Sequence, residues 1–165
     1  MKKVMIFGVM LVLLAAVTAQ AGENCTAAKK KAVCSHDVVK AKVDWACNLV
    51  ETEGLGAVSK IKAMRYDCCG EPDYVWINDM HPTMIMHPIK PMLDWKDLST
   101  FKDPKGKALF VKFVKAVKKH PKGAWVKYQW TKFGEKKPTN KQSWVKGCKV
   151  KGTGEEWVVG SGTWR

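Results

Sequence analysis

Residues 74–88 read YVWINDMHPTMIMHP, and this stretch decides the fold. Its first five residues are mostly aromatic and β-branched, the types enriched in strands, and Met80 to Pro82 form a turn. A second strand is predicted over Thr83 to His87, where Pro88 ends it. Two short strands joined by a tight turn predict an antiparallel pair. An antiparallel sheet is therefore expected at the centre of the domain.

Helical patterns flank this strand pair on both sides. Before it, apolar residues recur at three- and four-residue steps from about Thr26 to Glu53, and one or two further turns are predicted over Ala57 to Met64. After it, a loop rich in proline leads to an amphipathic helix over Lys107 to Lys118. The segment His120-Pro121-Lys122-Gly123 ends that helix.

Three more strands are predicted near the end of the chain, over Ala124 to Lys132, Gln142 to Val150 and Glu155 to Thr163. Short turns separate them, which again favours antiparallel pairing. The predicted fold class is α+β: a roughly five-stranded antiparallel sheet with a long N-terminal helix and a further amphipathic helix between strands. The helices are expected on one face of the sheet.

The N-terminus has the pattern of an export signal. Met1-Lys2-Lys3 is positive, Val4 to Val17 is an apolar run of fourteen residues, and Ala19-Gln20-Ala21 has the form of a cleavage site. The run is shorter than the about 20 residues that a membrane-spanning helix needs. We expect residues 1–21 to be a signal peptide, either cleaved or kept as an anchor. Residues 22–165 are then one periplasmic or secreted domain.

The chain is strongly basic, with a formal net charge of +14, or +12 once Lys2 and Lys3 leave with the signal. Only Arg65 and Arg165 offer the bidentate guanidinium that phosphate and base recognition favours; the other basic residues are lysines scattered along every segment. This composition argues against nucleic-acid binding and for a solvated cationic surface.

Six cysteines in an exported chain predict disulfides rather than metal or redox chemistry. Cys34 and Cys47 lie about 20 Å apart along one helix, too far to bond. A bridge between adjacent residues would be strained. The two helix cysteines therefore have several candidate partners, and the simplest hypothesis joins the helix to the turn before the sheet. The disulfide candidates are Cys25, Cys34, Cys47, Cys68, Cys69 and Cys148.

Several segments together resemble the single Cache domain of type 2, a PAS-like sensor domain that bacterial chemoreceptors and sensor kinases carry outside the membrane. The likeness runs in order over essentially all of residues 22–165. The matching segments are Arg65-Tyr66, Tyr74 to Asp79, Met84 to Pro88, Lys96 to Leu98, Asp103 to Lys107, Trp125 to Trp130, Lys141 to Lys146 and Glu156 to Gly162.

The resemblance implies a long helix packed on the sheet and a ligand held between the sheet and the overlying loops. The ligand it implies is a small organic acid or similar metabolite, bound without enzymatic chemistry or a cofactor. Relatives continue into a second membrane helix and a signalling module, whereas this sequence stops at Arg165. We therefore expect a detached sensor that acts through a membrane receptor or sensor kinase. A homodimer through the long helix is a further expectation.

Two strand faces supply candidate pocket residues. Trp76 could form a wall and Asn78 a hydrogen-bonding floor, although the tryptophan could equally be ordinary core. Tyr128 and Trp130 alternate with polar residues and should point inward, where a buried tyrosine hydroxyl needs a partner.

Charged and titratable residues complete the candidate site. Arg65, beside Tyr66, could pair with a carboxylate or make a helix-capping contact or a salt bridge. Lys141 could supply positive charge or lie on the surface. His87, expected on one face with Ile85, could bind the ligand or be satisfied within the structure.

Methionines and histidines suggest a second class of function, a periplasmic copper-binding or redox protein, because thioether and imidazole suit cuprous copper. Met84 and Met86 are predicted on one strand face and His87 on the other, so they should not converge, and no metal site is assigned. A structural role, with the cationic surface docked on anionic partners, is a third reading. The copper candidates are Met80, His81, Met84, Met86, His87 and Met92.

Overall fold

A computed structural model of the chain describes residues 34–68 and 71–164. The predicted signal peptide, the predicted helical turns before residue 34, and Cys25 and Cys69 lie outside these ranges. Within them, no helix combines the length and the apolar character needed to cross a membrane.

Three α-helices lie within the described residues, and the first begins at His36 rather than at the predicted Thr26. This helix, α1, spans His36–Glu53 and is capped by Ser35, whose hydroxyl accepts a hydrogen bond from the backbone N–H of Val38. It ends at Gly54, where φ is +61° and a Cβ would lie 2.5 Å from a backbone oxygen, so only glycine fits. After a 3₁₀ turn, α2 spans Ala57–Ala63, and α3 spans Leu109–Lys119.

The described strands form two antiparallel sheets. A short hairpin pairs β1 (Tyr66–Cys68) with β2 (Glu71–Asp73), where only a turn was predicted. The main sheet has five strands, as predicted, and their order across it is β4-β3-β7-β6-β5. Their bounds are β3 Val75–Asp79, β4 Met84–Met86, β5 Ala124–Thr131, β6 Pro138–Lys149 and β7 Glu156–Trp164.

Helices cover both faces of the main sheet, so the prediction of a single helical face is wrong. On β6, Cys148 is bonded to Cys47 of α1, whereas a Cβ on the neighbouring Gly147 would lie 2.8 Å from Val117 of α3. Because successive residues of a strand point to opposite faces, α1 and α3 lie on opposite sides of the sheet. Local periodicity could not show this, since an amphipathic helix has the same pattern on either face.

The two helical layers divide the interior into two hydrophobic clusters. Along β3, Val75 and Ile77 pack on the α1 side, while Trp76 between them packs on the α3 side. The α1 side is mainly aliphatic, with Val43, Val50 and Val159 among its buried residues. The α3 side is mainly aromatic, and its large rings are Tyr74, Trp76, Phe110, Phe113, Tyr128, Trp130 and Trp164.

A β-bulge between β3 and β4 changes the faces on which the β4 side chains lie. Ile77 pairs with Met86 and Asn78 with Met84, so one extra residue is accommodated on β4. Met84 consequently packs in the α3-side core and Met86 in the α1-side core. The prediction that both methionines share one face is wrong.

The same shift places His87 on the α3 side, where it stacks on Trp130, while Ile85 packs on the α1 side. The expected shared face of Ile85 and His87 is therefore also wrong. Met92 is exposed, so the copper candidates are divided among two cores and the surface.

Loop residues bond backbone groups at both edges of the main sheet. Beside β4, the backbone N–H of Trp95 donates to Met84 O (2.6 Å) and that of Met84 donates to Lys96 O (3.0 Å). Beside β5, the Asp103 carboxylate accepts a hydrogen bond from the backbone N–H of Gln129 (3.0 Å). These loops satisfy backbone groups that would otherwise be free to pair with another chain.

A disulfide joins Cys47 of α1 to Cys148 of β6, with Cα atoms 5.4 Å apart. The hypothesis that the helix is tied to the turn before the sheet is wrong for Cys47, because α1 lies directly across β6. Cys34 is disulfide-bonded as well, and not to Cys47, as predicted. The part of the hypothesis that concerns Cys34 stays a prediction, since the side chains at residues 68–70 lie outside the description.

Replacing both Cys47 and Cys148 by serine should lower the free energy of unfolding by about 2–5 kcal/mol. The bridge closes a loop of 101 residues, so its loss frees a long segment of the unfolded chain. Urea unfolding of the double variant against the oxidised protein measures the difference. Equal midpoints would contradict a stabilising bridge.

Candidate ligand-binding site

A small aromatic cavity lies between the main sheet and α3. The space open to the centre of a water-sized sphere is about 10 Å³, room for about one water molecule. Four predicted site residues line it: Trp76, His87, Tyr128 and Trp130. The other lining residues are Tyr74, Leu109, Phe110 and Phe113.

Trp76 lies flat on the sheet because β7 has a glycine beneath it. A Cβ on Gly160 would come within 2.4 Å of the indole ring. The ring also packs on Phe113, with centroids 5.3 Å apart, and its N–H donates to Asn78 Oδ1 (3.3 Å). Asn78 is buried, and it holds the tryptophan rather than lining the cavity.

Two buried tyrosines bring hydroxyl groups to this side of the sheet. The Tyr128 hydroxyl shares a hydrogen bond with Ser143 Oγ (2.8 Å). Burial raises the pKa of Tyr128, although the nearby Lys141 charge acts in the opposite direction. Burial and the adjacent Asp73 carboxylate raise the pKa of Tyr74. Both phenols therefore stay protonated and can donate a hydrogen bond.

His87 is held as a neutral ring with its proton on Nε2. The Nδ1 atom accepts hydrogen bonds from the backbone N–H groups of Ile89 (3.2 Å) and Lys90 (3.0 Å), so it cannot carry the proton. Burial, followed by the charges of Lys141 and Lys90, lowers the pKa of His87 to about 3. The ring contacts Tyr74 and Trp130, and the residue lines the cavity.

Lys141 is the buried cation of the site. Its side chain is fully buried, with Nζ 3.5 Å from Asp73 Oδ1 and over the rings of Tyr74 (4.5 Å) and Trp164 (4.3 Å). The stem fits because β7 has Gly162 here, whose Cβ would lie 2.8 Å from Lys141 Cε. The alternative of a surface lysine is wrong, since only 1% of Lys141 is exposed.

Two predicted residues lie away from the cavity. Arg65 is exposed, and its guanidinium donates to the backbone oxygens of Lys62 (2.7 Å), Met64 (2.7 Å) and Pro88 (3.3 Å). This is the helix-capping contact that the sequence left open. Tyr66 lies on the α1 side, where burial raises the pKa of its hydroxyl and Ser161 is its hydrogen-bond partner.

Sequence reasoning missed several residues of the site. Tyr74 shares the Trp76 face by strand alternation, so a signal existed for it. Asp73 meets Lys141 across a separation of 68 residues, and Leu109 reaches the cavity only through the packing of α3. No local pattern in the sequence indicates either contact. Among residues 34–68 and 71–164, no group of three or more His, Cys, Asp or Glu side chains is arranged to hold a metal ion.

Gly160→Ala should cost about 1–3 kcal/mol of unfolding free energy, because the new methyl group displaces the Trp76 ring. In the double variant Gly160→Ala/Trp76→Phe the smaller ring leaves room, so the two effects should not add. Urea unfolding of the four proteins of this cycle measures the coupling. Gly56→Ala, with nothing within 4 Å of its Cβ, is the matched control; strict additivity at Gly160 and Trp76 would refute the contact.

His87 should lower the free energy of unfolding in acid. Its pKa is about 3 when folded and about 6.5 when unfolded, so below pH 6.5 the unfolded chain binds the extra proton. The contribution of the neutral His87 ring to the free energy of unfolding is fully present above pH 6.5. It is lost as the pH falls towards 3, and the loss is about 2–3 kcal/mol at pH 4.5. His87→Asn keeps an acceptor near Nδ1 but cannot titrate. Urea unfolding at several pH values should show a shallower acid loss for this variant; parallel curves would contradict the assignment.

Comparison with known proteins identifies the relatives of this domain. The Cache domain family matches residues 51–164. A methyl-accepting chemotaxis protein, McpP of Pseudomonas putida, is 41% identical over 108 residues, which are 66% of this chain and 18% of that protein. The chain therefore spans less than a fifth of the length of this curated relative.

Solved structures agree with this match. A periplasmic sensor domain of a chemotaxis protein is 37% identical, with a TM-score of 0.67 over 78% of this chain and 93% of that one. A Cache chemosensory domain described for carboxylic acid recognition is 34% identical, with a TM-score of 0.60 over 78% and 86% of the two chains. The fold is shared also with a Vibrio parahaemolyticus chemotaxis protein at 21% identity and a TM-score of 0.63, over 78% and 86%. The chain belongs to the Cache domain family of extracytoplasmic sensor domains.

Proposed function

We propose that this domain binds a small carboxylate between the main sheet and α3. The observation that carries the proposal is the buried ammonium of Lys141, which lies over the ring of Tyr74, a residue that lines the aromatic cavity together with His87 and Tyr128. A positive charge with neutral donors around it is the chemistry that recognises a carboxylate.

The ion pair of Lys141 leaves the ammonium able to accept a second anionic partner. Its distance of 3.5 Å to Asp73 is longer than the about 2.7–2.9 Å of a strong charge-assisted hydrogen bond. A buried ammonium is stable only when its charge and its three N–H donors are compensated. The rings of Tyr74 and Trp164 compensate part of the charge, and a ligand carboxylate would compensate more.

The neutral donors favour a carboxylate over a cation or an apolar ligand. The two cavity tyrosines are uncharged near neutral pH, and burial, which lowers the pKa of His87, keeps this ring neutral as well, so all three can act as neutral hydrogen-bond donors. The opposite wall is apolar, formed by Leu109, Phe110 and Phe113 of α3, and it suits a short hydrocarbon tail. The cavity has room for about one water, so even a short acid enters only when lining side chains move.

The relatives support the same class of ligand and a role in signalling. One of them is a Cache chemosensory domain that recognises carboxylic acids, and others are chemotaxis proteins. We place this domain in the periplasm, exported by residues 1–21, with a membrane receptor or sensor kinase as its signalling partner. The predicted homodimer through α1 remains part of this proposal, with Trp45 as an exposed apolar residue of that helix.

Acetate, propionate, lactate or pyruvate should raise the melting temperature, and the corresponding neutral amide should not, because only the acid carries the charge that Lys141 binds. Differential scanning fluorimetry identifies the acid, and titration calorimetry gives its Kd. A response to copper ions but to no acid would contradict the proposal.

The double variant Asp73→Asn/Lys141→Met should weaken the Kd of that acid about thirtyfold or more, since it removes the cation without leaving a buried unpaired carboxylate. Tyr128→Phe should have a smaller effect, because only one neutral donor is lost. Arg65→Ala is the control: its guanidinium is occupied by three backbone oxygens, so binding should persist. Calorimetry that shows the opposite order would move the site to Arg65.

A further inference from the structure

Trp95 occupies a backbone conformation that suits glycine or asparagine. Its φ is +64°, and among the described residues every other positive φ belongs to a glycine. The left-handed conformation is needed here because the chain turns from the 3₁₀ turn Pro91–Leu93 onto the edge of β4, where the Trp95 N–H bonds Met84 O. For a bulky side chain this conformation is unfavourable.

Burial of the indole ring does not offset the cost of this conformation. The residue is 72% exposed, and Met92, one turn earlier, is 65% exposed. An asparagine or glycine would make the same turn with less strain, and a polar residue would avoid placing apolar surface in water. The stability of the fold therefore does not explain a tryptophan at this position, whereas contact of its side chain with a binding partner does.

The loop that carries this apolar pair holds both acids and lysines. Asp94 accepts from the His87 backbone N–H and pairs with Lys62, whereas Asp97 is exposed and accepts from the Ser99 backbone N–H. Lys96, the residue after Trp95, is also exposed. The domain as a whole is strongly basic, with a formal net charge of +12 without Lys2 and Lys3, which is complementary to an anionic partner.

We propose that the segment 91–96 docks on an anionic lipid surface, with Trp95 and Met92 inserted at the headgroup level. Tryptophan prefers that level because its ring is apolar and its N–H is polar. Lysines spread over the whole surface attract anionic headgroups from any direction, whereas interfaces with proteins are depleted in lysine. A few inserted side chains together with many lysines give reversible binding, which needs both contributions. The proposal is independent of carboxylate binding.

The test is co-sedimentation of the purified protein with vesicles of phosphatidylcholine, with and without phosphatidylglycerol. The wild type should bind the anionic vesicles, bind neutral ones weakly, and dissociate as salt is raised. Trp95→Asn should weaken the apparent Kd about tenfold or more, because an inserted aromatic ring is lost. Its melting temperature should be equal or about 2 °C higher, since asparagine tolerates the left-handed conformation.

Phe133→Ser is the matched control, because Phe133 is also exposed, at 77%, but lies in the loop between β5 and β6. It should bind anionic vesicles as the wild type does. The proposal is overturned if the wild type ignores anionic vesicles, if Trp95→Asn binds them equally well, or if both variants lose binding alike. A melting temperature several degrees lower for Trp95→Asn would show that the ring serves the fold, and a dimer that depends on Trp95 would assign the surface to a second copy; either result also overturns it.

Discussion

Burial of the central strands on both faces is the constraint on which the rest of this structure depends. Each of the strands β3, β6 and β7 has one face in each hydrophobic core. Successive residues of these strands therefore alternate between the α1 layer and the α3 layer. The disulfide between Cys47 and Cys148 fastens one layer, and the aromatic packing of α3 forms the other. A residue moved to the wrong face would disturb both layers, which is why the register is strongly specified.

The ligand site follows from a difference in composition between these layers. The α1 side is mainly aliphatic, although Trp157 is buried in it. The α3 side is mainly aromatic, and its tyrosine and tryptophan rings carry hydroxyl and N–H groups. Gly160 and Gly162 on β7 give Trp76 and Lys141 the space to lie along the sheet. A cation and neutral donors are thereby assembled inside an otherwise apolar layer.

The edge loops show how the domain uses segments that take no part in the core. Asp103 protects the outer strand β5, and the segment after the 3₁₀ turn Pro91–Leu93 protects β4. The second loop also supports the site, because Asp94 binds the backbone of His87 while Lys90 lies over Trp130. It is the same loop that holds Trp95 in water, so one segment connects the ligand layer to the surface.

The local order of the elements was predictable because helix and strand periods differ, and the inward faces of Trp76, Tyr128 and Trp130 followed from strand alternation alone. The collinear likeness to Cache domains predicted the family. Tertiary structure alone decided the rest. A bulge in β4 places Met86 and His87 on the opposite faces from those predicted. Because α1 crosses β6, Cys47 bonds Cys148. The packing of the sheet places α3 on the face opposite α1. Arg65 and Lys141 show the physical reason: both are cations with candidate anionic partners, but only long-range packing determines which is exposed to water and which is buried beside Asp73.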